Sequence, residues 1–176
     1  NPRENLGKKA TKADRAAGLI PCVIYGGDEV HHFTTTPNEV KALIYTPDFK
    51  LAELELNGTT YKSIVKEIQF HPVTDAILHI DFLRLVENHP IKVQVPVRFF
   101  GTSPGLKVGG KLIQNVRRIK IKTTPENLVD ELKLDISNLE LGESIRVRDI
   151  EVNDNIEIMM PSGTPVGTVE IPRALR

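Results

Sequence analysis

His79-Ile80-Asp81 sets an imidazole and a carboxylate two residues apart, and on a β-strand residues i and i+2 project from the same face. Such a pair can orient a proton, hydrogen-bond a base edge or supply two ligands to a metal. It also serves as an ordinary hydrogen bond on a strand surface. As half of a nucleophilic triad it lacks the rest: there is no G-x-S-x-G elbow, and nothing around Cys22 marks it as a nucleophile. His31 and His32 would point to opposite faces of a strand. Neither they nor His71-Pro72 carry a Cys pair or the H-x-x-x-H type of spacing that zinc requires. Gly109-Gly110 fits neither a P-loop nor a dinucleotide fingerprint and reads as a loop that needs backbone freedom. These residues predict no enzyme, no metal, no cofactor and no small-molecule substrate.

A second constellation is electrostatic. Arg3, Lys8, Lys9, Lys12 and Arg15 face only Glu4 and Asp14 near the start of the chain. Seven basic residues and no acid fall between Arg98 and Lys122, and from Thr123 onward eleven acids face five bases. Over all 176 residues the charges balance at 23 against 23, which argues against the strongly basic type of nucleic-acid binder. Segregated charge can still give a neutral molecule one basic face, although solvated strand faces would have the same composition. The first cluster adjoins a short predicted helix, where phosphates would meet both cations and free helical N–H groups. Tyr25 follows on a strand, suited to stacking on a base or donating its hydroxyl. A solvated loop beside a core tyrosine would satisfy the same residues.

The elements that must position these groups are mostly strands. Thr11 as N-cap, Asp14 at N3 and Gly18 as stop predict a short helix, followed by strands over Pro21–Gly27 and His31–Thr35. Thr36-Pro37-Asn38-Glu39 has capping-box spacing with proline at N1, and Val40, Leu43 and Ile44 supply the apolar stripe of a helix that Pro47 ends. Leu54 and Leu56 alternate with glutamates up to Asn57-Gly58, a two-residue hairpin signal, with a return strand from Tyr61 to about Phe70. Leu78, Ile80 and Phe82 mark another strand. Beyond a boundary near Glu87, strands are expected around Val93–Phe99, Ile119–Lys122, Leu132–Ile136, Ser144–Arg148, Ile156–Met159 and Val166–Ile171. Pro96 suggests an edge or a bulge, and a glycine-rich loop is expected over Gly101–Gly110. The reading is mainly β, as two domains, 1–87 and 88–176. A single cysteine suits a reducing cytoplasm. No apolar run has membrane-spanning length, and the opening Asn1-Pro2 lacks a signal-like pattern.

Gly7-Lys8-Lys9-Ala10-Thr11-Lys12, then Arg15 and Ile20-Pro21-Cys22-Val23-Ile24-Tyr25-Gly26-Gly27, resemble the opening of the ribosomal Ctc family. These are bacterial large-subunit proteins that bind 5S rRNA, also called general stress proteins. Ile68-Gln69-Phe70-His71-Pro72 and Leu78-His79-Ile80-Asp81-Phe82 resemble the close of that family's RNA-binding domain, in the right order and separation. Gly105–Lys111, Pro125-Glu126-Asn127-Leu128 and Leu132–Gly142 resemble its C-terminal extension, so the likeness covers nearly the whole chain, as in the two-domain members.

The resemblance implies an N-terminal six-stranded type of β-barrel with one or two helices, similar to the anticodon-binding domain of glutaminyl-tRNA synthetase, and a C-terminal β-rich domain. It implies a structural role in the large ribosomal subunit, with the first domain on the loop E region of 5S rRNA. Lys8, Lys9, Thr11, Lys12 and Arg15 would contact phosphates or the groove, and Tyr25, Gln69, His79 and Asp81 would lie on the adjoining barrel surface. The sequence leaves open whether the basic stretch from Arg98 to Lys122 in the C-terminal domain meets rRNA or a neighbouring ribosomal protein, and the implied location is cytoplasmic, on the ribosome. Residues ahead of Asn1 are expected to belong to a first barrel strand. The chain departs from the family pattern with Lys9 in place of a glycine, Ala13 and Asp14 within an arginine cluster, and Phe70 in place of a basic residue. Weaker but retained binding follows. The alternative is a stress-related protein-interaction module that has weakened or lost its hold on 5S rRNA.

Overall fold

The computed structural model describes residues 1–3 and 5–172. The chain divides into two compact units, Asn1–His89 and Pro90–Arg176, and both are mainly β.

The first unit runs α1 (Lys8–Ala16), β1 (Ile20–Tyr25), β2 (His31–Thr35), α2 (Pro37–Ile44), β3 (Leu51–Leu56), β4 (Thr59–Phe70) and β5 (Ile77–Arg84). Its five strands form one sheet in the order β2-β1-β5-β4-β3, antiparallel except for β1 beside β5. The sheet curls as a half barrel, because alternate residues on each strand are apolar and must share an interior. Ile20, Cys22, Ile24, Phe33, Ala52, Leu56, Ile80 and Phe82 fill it, with Val40 of α2. Each large aliphatic or aromatic side chain so buried contributes about 1.5–3 kcal/mol. Asn1–Arg3 runs along the outer edge of β2 as a partial sixth strand: Pro2 bridges Phe33, and the Asn1 carbonyl accepts from the Thr34 N–H at 2.8 Å. A cleft of about 520 Å³ opens along the inner side of β3, lined by Phe33, Val40, Leu43, Leu54 and Phe82 among others.

Local signals account for much of this. The Glu39 carboxylate accepts from the Thr36 N–H at 3.0 Å at the start of α2, the reciprocal half of a capping box. Asn57 and Gly58 both have positive φ, 52° and 78°, as a two-residue hairpin turn between right-twisted strands demands. The first helix departs from expectation. It begins at Lys8 with Gly7 as N-cap, so Thr11 lies inside it and returns its hydroxyl to the Gly7 carbonyl at 2.9 Å. Gly7, at φ 123°, takes a turn closed to L side chains and starts the helix ahead of the better capping residue. The stop at Gly18 is as expected: Gly18 and Leu19 donate back to Arg15 and Asp14 in a Schellman arrangement.

The second unit comprises β6 (Ile91–Phe100), α3 (Pro104–Lys107), β7 (Lys111–Gln114), β8 (Arg118–Thr123), β9 (Leu132–Asp135), β10 (Ser144–Arg146), β11 (Glu157–Ile158) and β12 (Pro165–Glu170). Two sheets result, β11-β8-β6-β9 and β10-β12-β7. Val93, Val95, Val97, Ile119, Ile121, Leu132, Leu134, Val166 and Val169 are buried. The two sheets touch where the Phe99 ring lies over Gly167, close enough that an added Cβ would come within 2.7 Å of it.

Pro96 sits in the longest strand of this unit, at a point that tolerates it. β6 pairs with β8 up to Pro96 and with β9 only from Val97, and the Val97 N–H donates toward β8, to Arg117. The proline nitrogen therefore points to the side where β9 has not begun. The glycine-rich stretch is not all loop: Ser103 caps the short α3, its hydroxyl accepting from Leu106 at 3.3 Å. β7, which the sequence did not mark, follows at once. The strand expected over Ser144–Arg148 ends at Arg146 because Asp149 turns back to accept from the Arg146 N–H at 2.8 Å, forming a 3-10 turn.

Candidate nucleic-acid interface

The convex face of the first sheet carries the residues that the core does not take. Strand register places His79 directly opposite Gln69, and Asp81 beside Val23 and opposite Glu67. Tyr25 lies beside Leu83, which faces Ile64. His79, Asp81, Gln69 and Tyr25 thus share one face across β1, β5 and β4. Alternation on a strand dictates this, because Cys22, Ile24, Ile80 and Phe82 take the other face.

His79 and Asp81 are engaged with each other. The Nδ1–O distance is 2.6 Å with each side chain about a quarter exposed. A carboxylate only accepts, so Nδ1 carries the proton between them and Nε2 is left as the acceptor of a neutral ring. Burial, then the nearby Asp81 and Glu67 carboxylates, raise the Tyr25 pKa, so its phenol stays a hydrogen-bond donor at neutral pH. Burial pushes the Cys22 thiol up to about 12, which leaves it an unreactive core residue.

α1 brings the cations. At roughly 100° per residue, Lys8, Lys12 and Arg15 fall within one stripe about 60° wide, while Lys9 lies to one side. All four are exposed. Arg15 ties the stripe to the sheet face, donating from Nε at 3.0 Å and Nη2 at 2.9 Å to the carbonyl of Leu78, the residue before His79. Three residues are occupied internally. Arg3 pairs with Asp14 at 2.7 Å and donates to the Thr11 hydroxyl at 3.2 Å. Asp14 therefore offsets Arg3 rather than the stripe, and Thr11 fixes the helix more than it faces outward. No α1 side chain is buried, so these polar clamps hold the helix in place.

Phe70 is an exposed aromatic at the end of β4 that the sequence analysis does not assign to the site. It lies next to Gln69, pairs with Ile77 and is 43% exposed, which offers a base a stacking surface.

Residues 1–82 match the Ribosomal L25p family model, and residues 90–173 match the model of the C-terminal domain of ribosomal protein TL5. The chain is 43% identical to the large ribosomal subunit protein bL25 of Azobacteroides pseudotrichonymphae, covering 99% of this chain and 92% of that one. It is 44% identical to the bL25 of Cytophaga hutchinsonii, over 99% and 90%, and 41% identical to that of Porphyromonas gingivalis, over 99% and 92%. With both halves matched and full-length relatives at this identity, the chain belongs to the L25 family of ribosomal proteins, in its two-domain bacterial form.

Proposed function

We propose that the chain is a structural constituent of the large ribosomal subunit, in the cytoplasm, and that its first unit binds 5S rRNA at the irregular loop E. The family is structural and non-enzymatic. The observation that carries the 5S reading is the Arg15–Leu78 link, which joins a cationic helix stripe to a sheet face bearing His79, Asp81 and Gln69.

The two parts do different work. Lys8, Lys12 and the free edge of the Arg15 guanidinium meet phosphates, which sets position without reading sequence. Asp81 and Glu67 are unsuited to phosphates but accept hydrogen bonds from base amino groups, and Gln69 both donates and accepts. Regular A-form RNA hides base edges in a deep, narrow groove. A helix distorted by non-Watson–Crick pairs opens that groove, so this face favours loop E over an ordinary duplex. Thr11 and Lys9 flank the stripe, and Tyr25 and Phe70 border the sheet face.

Gel shifts over a salt series test the reading. Wild-type protein is expected to prefer 5S rRNA over a variant with loop E replaced by regular duplex. Lys8→Ala with Lys12→Ala is expected to lower the slope of log K against log salt by about 1.4–1.8, at roughly 0.7–0.9 per phosphate contact. Equal affinity for both RNAs would instead favour a protein-interaction module.

A further inference from the structure

The convex face of the four-stranded sheet in the second unit is cationic. Lys92 and Gln94 of β6 project opposite the buried Ile91, Val93 and Val95, and Arg118, Lys120 and Lys122 of β8 project opposite the buried Ile119 and Ile121. Register sets Lys92 against Lys122, Gln94 against Lys120 and Pro96 against Arg118, and farther along β6 it sets Arg98 against Lys133 of β9. Six cations from three adjacent strands therefore share one face. They recur at every second residue, roughly 6.7 Å apart along a strand, comparable to the separation of successive backbone phosphates.

Like charges directly opposite each other weaken a sheet, and this one has two such pairs. Carboxylates relieve both pairs. Glu157 on β11 reaches Lys122 at 3.2 Å, and Glu131, just ahead of β9, lies 3.7 Å from Arg98 and 3.6 Å from Lys133. The rows between hold cations, Gln94 and a proline, with no aromatic or aliphatic anchor before Phe100 at the strand end. A protein interface of useful affinity is organised around such anchors, whereas a sugar–phosphate backbone needs cations and a few hydrogen-bonding groups.

We propose that this face is a second RNA-binding site, taking the phosphate backbone of a double-helical rRNA segment, with Arg118 and Lys120 at its centre and Gln94 placed for ribose hydroxyls. It is independent of the face proposed for loop E and stands or falls separately.

The experiment uses the full chain and two probes, a loop E fragment of 5S rRNA and a regular RNA duplex of arbitrary sequence, titrated by fluorescence anisotropy over a salt series. Arg118→Gln with Lys120→Gln changes two exposed side chains and leaves the buried Ile119 and Ile121 in place, so the fold is expected to hold, with an unchanged thermal midpoint as the check. Affinity for the regular duplex is expected to fall on the order of tenfold and the salt slope by about 1.4–1.8. Binding to the loop E fragment is expected to stay within about twofold, since none of its proposed contacts is touched. Lys8→Ala with Lys12→Ala should show the reverse pattern. Unchanged duplex affinity and slope in the Arg118/Lys120 variant would overturn the proposal. So would a photocrosslinker at position 120 that, in assembled large subunits, is captured by a protein instead of rRNA.

Discussion

At the scale of single residues, the His79–Asp81 pair and Cys22 make opposite use of a strand's two faces. Asp81 on the convex face holds His79 and presents acceptor oxygens on the face proposed for RNA, where they would accept from bases. Asp81→Asn is therefore expected to reduce the preference for loop E over regular duplex by about 1–3 kcal/mol without lowering the salt slope. Filter binding to the two RNAs decides the point, and tighter binding to both would show a carboxylate that merely repels. Cys22 on the concave face is shielded, its thiol pushed up to about 12 by burial. A folded pKa above the unfolded value gives stability that is complete below about pH 9 and is lost as pH rises toward 12, at about 1.4 kcal/mol per pH unit. Urea midpoints from pH 8 to 11 should thus fall more steeply for wild type than for Cys22→Ala, and equal slopes would contradict the burial argument. The residue types at these positions were legible in the sequence, and so were their faces, because alternation fixes both. The roles of Arg3, Asp14 and Thr11 were not. An ion pair between Arg3 and Asp14 depends on the chain turning back across β2, which no local pattern announces.

At the scale of elements, α1 is the weak joint. It buries no side chain and is retained by Arg3 to Asp14 and Thr11 and by Arg15 to Leu78. Few apolar contacts imply local opening at low cost. Arg3→Ala is expected to speed hydrogen exchange in 8–16 while leaving β1 and β5 protected and weakening 5S binding severalfold. Exchange rising equally across the whole first unit would mean that Arg3 supports the barrel instead. Elements specified by neighbouring residues matched their sequence patterns: β2, the capped α2 and the Asn57-Gly58 hairpin. The misses were of another kind. Thr11 has better capping chemistry than Gly7, yet the backbone turn at Gly7 began the helix earlier. β7 spans four residues, Lys111–Gln114, without apolar alternation and exists because β12 arrives to pair with it from far along the chain.

At the scale of the whole molecule, zero net charge conceals two cationic surfaces, the α1 stripe beside the first sheet and the convex face of β6 and β8. Composition sums charge over faces, so it could not reveal them. The topology sorts the charges, because each strand sends every second residue outward. The mainly β character was legible from alternation, while the pairing order of strands required long-range contacts that alternation does not encode. Association with 5S rRNA should follow from the local fields of these surfaces, with a marked dependence on ionic strength despite the neutral total. The most direct measurement is a hydroxyl-radical footprint of the folded full-length protein on 5S rRNA in moderate salt. Protection centred on loop E, lost with Lys8→Ala and Lys12→Ala, is the expected result. A 5S rRNA cleaved as freely with the protein as without it would contradict the central claim.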